Sequence, residues 1–117
     1  MIPIVVIVSG SPVVAVFVSR TKFWFGVTIT LAFSAYFAHL NNSSTDDFLR
    51  VQIVGTTTTT VFQQLGSAAQ VNGAFARQSA NISSFAGQTI RILITTADAA
   101  GGSLVEAGVD DVTITHQ

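Results

Sequence analysis

Charge is the scarcest commodity in this 117-residue chain. Only 9% of residues are charged, five Lys and Arg against six Asp and Glu, where an ordinary globular domain carries about 25%. The five cations Arg20, Lys22, Arg50, Arg77 and Arg91 are scattered. No basic patch therefore exists for nucleic acid and no polybasic run for an anionic membrane. There is no cysteine, which removes disulfides, thiol catalysis and thiolate metal sites together, without excluding secretion. Two histidines, His39 and His116, are too few for a zinc site and do not pair with a G-x-S-x-G elbow, which is absent. No glycine-rich turn leads from a strand into a helical pattern, so there is no phosphate loop.

What the chain has instead is apolar and β-branched residues: 49% are hydrophobic, and Thr and Ser supply the polar surface that charge does not. The length suits one domain with a real core. From Val27 to Phe37 the odd positions are Val, Ile, Leu, Phe, Ala and Phe, and the even ones are Thr, Thr, Ala, Ser and Tyr. Such period-two alternation marks a strand with one buried face. Leu40 to Asp47 reads as a loop, because its Asn, Ser and Asp side chains compete for the backbone. Phe48–Val54 follows as a strand with Leu49, Val51 and Ile53 inward and Arg50 and Gln52 outward. Gly55 makes a turn into a second strand, Thr56–Phe62, and Gln63–Gly73 is a connection. Ala74–Ile82 is a strand around Phe75, Arg77 and Ser79, and Ser83–Gln88 is a short loop anchored by Phe85. Ile90–Thr96 is a strand with an Ile row on one face. Ala97–Ser103 is a flexible loop, and Leu104–Val109 and Val112–Thr115 flank the Asp110-Asp111 pair. No segment has helical period. The fold expected is all-β: an antiparallel β-sandwich (jelly roll) of six to eight strands with little or no helix.

Residues 1–22 are an atypical apolar segment, set apart from a β-sandwich domain over 23–117. Pro3 and Ser9-Gly10-Ser11-Pro12 cut it into Ile4–Val8 and Val13–Val18, both dense in β-branched residues and read as a strand pair. A membrane anchor over residues 1–19 is left open but not favoured. A signal peptide fits poorly, since Met1-Ile2-Pro3 carries no positive charge and Val18-Ser19-Arg20 is a poor cleavage site.

The runs "NISSFAGQTIRILI" and "SLVEAGVDDVTIT", with the earlier "VTITLAFSAYFAHL" and "DDFLRVQIVG", resemble bacterial extracellular galactose-binding-like jelly-roll domains, relatives of MAM-type and carbohydrate-binding modules. The resemblance covers about residues 27–115. It implies a non-catalytic module, secreted or at the cell surface, that binds a glycan or a surface protein. It also implies that the first strand pairs beside the last, next to Val112–Thr115, and that Asp110 or Asp111 helps hold a structural Ca2+. The alternative for the aspartate pair is a bulge or turn whose carboxylates bond backbone N–H groups. Glycan contacts would come from outward-facing side chains with an aromatic or hydrogen-bonding character: Trp24, Tyr36, Arg50, Gln52 and Arg91. A competing function is a self-assembling structural subunit, a homo-oligomer that adds its apolar N-terminal strand to a neighbour's sheet. Enzyme activity is the least supported class, because no pair of carboxylates can be placed across a cleft.

Overall fold

The computed structural model describes residues 13–19, 28–98 and 105–117. Seven strands form two antiparallel sheets: β1 Val13–Ser19, β2 Ile29–His39, β3 Phe48–Val54, β4 Thr58–Leu65, β5 Ala76–Asn81, β6 Ile90–Ala97 and β7 Val105–His116. Four strands pair in the order β1-β6-β3-β4 and three in the order β5-β2-β7. Only β3 and β4 are neighbours both in sequence and in a sheet. At every other connection the chain crosses to the opposite sheet, the jelly-roll manner of closing a sandwich without parallel pairing. The one helical element among the described residues is a single 3-10 turn at Ser83–Phe85.

The core follows from the alternation. On β2, Ile29, Leu31, Phe33, Ala35 and Phe37 are buried while each residue between them is half-exposed. Leu49, Val51 and Ile53 of β3 and Ile90, Ile92 and Ile94 of β6 meet them from the other sheet in one continuous cluster. Phe33 and Phe62 join the sheets edge to face, with ring centroids 5.7 Å apart, the arrangement the aromatic quadrupole favours. Phe85 is buried under the 3-10 turn and explains the hairpin between β3 and β4. A Cβ at Gly55 would come within 2.9 Å of the Phe85 ring, and Gln88 Oε1 accepts the Thr56 N–H at 2.9 Å. Only glycine lets the turn sit this close.

Several boundaries differ from the sequence reading for physical reasons. β4 runs on through Gln63, Gln64 and Leu65, because Phe48 and Arg50 provide cross-strand partners for Leu65 and Gln63. A bulge at Val61 shifts the register between Val51 and Gln52 and turns both Val61 and Phe62 toward the core. The last two segments are one strand. Its register against β2 slips between Ala32 and Ser34, and Asp111 sits at φ 52°, the left-handed region that Asp and Asn tolerate best among non-glycine residues. Asp110 Oδ1 accepts the Asp111 N–H at 2.8 Å. The aspartate pair thus builds a β-bulge.

The N-terminal strand lies beside β6, from Val13 opposite Thr96 to Ser19 opposite Ile90. It does not lie beside β7, which among the described residues pairs only with β2. Residues 13–19 are thus a strand of the sandwich itself. Of β1 the backbone alone is described. The Ile4–Val8 strand, the Ser9–Pro12 turn, Trp24 and most of the Ala97–Ser103 loop lie outside the described residues. Among the described residues no helix is long and apolar enough to cross a membrane.

Candidate functional site

Each sheet has an outer face, and the two faces are built differently. On the four-stranded sheet the outward residues bond one another. Arg50 Nε donates to Gln63 Oε1 at 2.7 Å, and its guanidinium carbon lies 4.3 Å from the centroid of the Phe48 ring. Gln52 Nε2 donates to Thr60 Oγ1 at 3.2 Å. Arg91 is exposed and borders a shallow hollow with Val54, Thr58 and Leu93. These are side-chain ladders between adjacent strands, which stabilise a sheet surface by tenths of a kcal/mol to about 1 kcal/mol per pair.

The three-stranded sheet presents Thr30, Ala32, Ser34, Tyr36 and Ala38 from its middle strand β2. Register places Arg77 of β5 and Asp110 of β7 on either side of Ser34. Arg77 reaches over Ser34 to the far strand, where Nη1 donates to the Asp111 carbonyl at 2.8 Å and Nη2 to Thr113 Oγ1 at 3.3 Å. The bulge makes this possible by turning the Asp111 carbonyl out of the ladder. The guanidinium therefore straps β5 to β7 across β2. It also bears on calcium. Calcium needs six to eight oxygens. Here one Asp110 oxygen is taken by a backbone N–H, and the Asp111 carbonyl by a cation. Among the described residues no group of three or more His, Cys, Asp or Glu is placed to hold a metal.

One register step from Arg77, toward the loop end of the sheet, stands Tyr36. Gly108 faces it on β7 and contributes no side chain. The Tyr36 hydroxyl donates to Glu106 Oε2 at 3.3 Å. Partial burial raises the phenol above its ordinary value, and the charge of Glu106 and the hydrogen bond to it add to the rise; the neutral form is the better donor to a carboxylate. Phe75 packs against the ring at a centroid distance of 5.3 Å and an interplanar angle of 41°, and is itself 52% exposed. On another side the backbone of Gly73 touches the ring; a Cβ there would overlap Tyr36 Cζ and Oη. The phenol is held in place by glycine, phenylalanine and glutamate together.

Beside this ring opens a cleft of about 220 Å³, lined by Ala38, His39 and Leu40 at the end of β2, the 70–73 segment, and Glu106. The segment is pinned by an isolated bridge in which the His39 and Val71 backbones exchange hydrogen bonds of 3.1 and 2.9 Å. His39 is 4% exposed. Its Nδ1 lies 2.7 Å from the Leu40 carbonyl oxygen. A carbonyl only accepts, so the proton sits on Nδ1 and Nε2 is left as an acceptor. Among the described residues that buried Nε2 has no hydrogen-bond partner, an uncommon state for a buried polar atom. Gln70 and Asn72 bond each other at 3.0 Å on the rim.

Of the described residues singled out in the sequence, none lines this cleft; Tyr36 stands next to it, in contact with Gly73 and Glu106, which do. Arg50, Gln52 and Arg91 lie on the outer face of the other sheet, and Trp24 is outside the described residues. Phe75, Glu106, His39 and Gly73 were not singled out as ligand contacts. A signal for the first existed: the alternation Phe75, Arg77, Ser79 sets an aromatic on the polar face of its strand.

No family model matches the chain, and no curated protein matches it. Among solved structures, one described as "CBM4 structure and function" aligns over 98% of this chain and 84% of its own, with a TM-score of 0.46 and 16% sequence identity.

Proposed function

We propose that this chain is a non-catalytic binding module, secreted or at the cell surface, that holds a carbohydrate on the outer face of its three-stranded sheet. The observation that carries this reading is the Tyr36–Phe75 pair, an immobilised aromatic surface beside a cleft supplied with hydrogen-bonding groups. An exposed ring gives a pyranose a flat apolar partner, and side chains at the rim take its hydroxyls. Holding Tyr36 in place beforehand reduces the ordering cost of binding. Among the described residues Glu106 is the one carboxylate lining the cleft, whereas glycoside hydrolysis uses two across the scissile bond.

The test is retention of the folded protein on a panel of polysaccharides, with Phe75→Ala beside the parent chain. Phe75 is 52% exposed, so the variant is expected to fold. Loss of about 0.5–1.5 kcal/mol of ring contact weakens binding roughly three- to tenfold. Failure of the folded parent chain to bind any polysaccharide would sink the reading.

A further inference from the structure

Resting on that reading, we infer that the cleft selects a cationic amino sugar, a glycan whose pyranose carries a free protonated amine, over neutral and acidic glycans. The cleft is negatively charged. Glu106 is its one charged side chain among the described residues, and no Lys or Arg lines it. The Tyr36 hydroxyl donates to the same carboxylate, so it offers an incoming group a lone pair. The Val71 backbone N–H and carbonyl, and the N–H of His39, are consumed by the bridge between the two residues.

The nearest guanidinium, Arg77, is occupied with Asp111 and Thr113. Asp110 stands on the same outer face. A uronate would bring its carboxylate against Glu106, and no Lys or Arg among the described residues lines the cleft to receive it. A neutral sugar is tolerated through its hydroxyl donors. An ammonium brings only donors and a positive charge. Both suit a carboxylate beside two aromatic rings, whose negative faces attract cations.

Isothermal titration with matched oligosaccharides decides it: a fully deacetylated glucosamine oligomer, its N-acetylated form, a neutral glucose oligomer and a uronic acid oligomer, all below neutral pH. The deacetylated oligomer is expected to bind about tenfold more tightly than the N-acetylated one, with a preference that shrinks as salt rises. In Glu106→Gln the preference falls toward one while neutral binding persists. Equal affinity for the charged and neutral oligomers, stronger binding of the uronate, or a preference untouched by Glu106→Gln overturns the inference and leaves carbohydrate binding standing. Failure of all four to bind the folded protein overturns both.

Discussion

The two outer faces of the sandwich are made from the same stock of Thr, Gln, Arg and aromatic side chains, yet among the described residues they use it differently. On the four-stranded face the polar groups are spent on each other: Arg50 on Gln63 and the Phe48 ring, Gln52 on Thr60. On the three-stranded face the spending is uneven. Arg77 is committed to the bulge, but Tyr36 packs on Phe75 and bonds Glu106, which lines a cleft. The difference lies in the loops. The 66–75 segment between β4 and β5 folds back on the end of β2 and brings Gly73 against Tyr36, whereas the turn between β3 and β4 is tight and docks on Phe85 and Gln88. A sheet surface becomes a site when a loop returns to wall it in.

The comparison can be broken in four ways. The largest effect is expected from Phe33→Ala, which removes the ring that joins the two sheets and should cost about 3–5 kcal/mol in denaturant unfolding. A loss below about 1 kcal/mol would mean the sheets do not share their core at this contact. Next, Gly73→Ala should cost about 1–3 kcal/mol and, by displacing Tyr36, abolish glycan binding; normal binding would show that the ring need not be held in place. Third, the faces can be set against each other directly. Phe75→Ala should lower affinity while leaving stability within about 0.5 kcal/mol, the usual range for surface changes. Arg50→Ala should leave affinity unchanged, and a reversed pattern would move the site to the four-stranded face.

The smallest effect is a pH dependence. Tyr36 is the single tyrosine of the chain, so phenolate absorbance reports on it alone. Its proton is held above the ordinary value of 10.0 by partial burial and by Glu106. The folded chain therefore keeps a proton that the unfolded chain releases. The resulting stabilisation is complete below about pH 10 and is lost as pH rises through the raised value. Glu106→Gln should bring the titration midpoint back toward 10.0; an unmoved midpoint would remove Glu106 from the ring's surroundings.

Much of the sandwich is legible in the chain because its pattern is local. The alternation over Val27–Phe37 and the Ile row of Ile90–Ile94 can be read without knowing any partner, and the odd positions from Ile29 to Phe37 and the Ile row are buried as expected. So is the outward orientation of Arg50 and Gln52. Period two does not reveal which sheet a strand joins, and this is why Tyr36, Arg50, Gln52 and Arg91 looked like one surface when they belong to opposite ones. The site is non-local in the same sense. Tyr36 and Glu106 are 70 residues apart and meet only because β2 pairs with β7, while Phe75 arrives through β5. The partner of β1 is not legible for a related reason: β-branched density identifies a strand, but the edge that receives it, here β6, depends on the register of the rest. The Asp110-Asp111 bulge was foreshadowed as one of two readings, since Asp is among the few residues at ease with a positive φ.

The bridge between His39 and Val71 has a dynamic consequence. Two backbone hydrogen bonds are all that the bridge contributes to holding this wall of the cleft to the sheet, whereas β2 itself is laddered on both sides along most of its length. Opening the wall is therefore a sub-global event, far less costly than unfolding the sandwich. The Val71 amide should exchange with solvent deuterium orders of magnitude faster than the Leu31 or Phe33 amides. A ligand seated against Glu106 and Tyr36 would slow that exchange selectively, making one amide a gauge of occupancy.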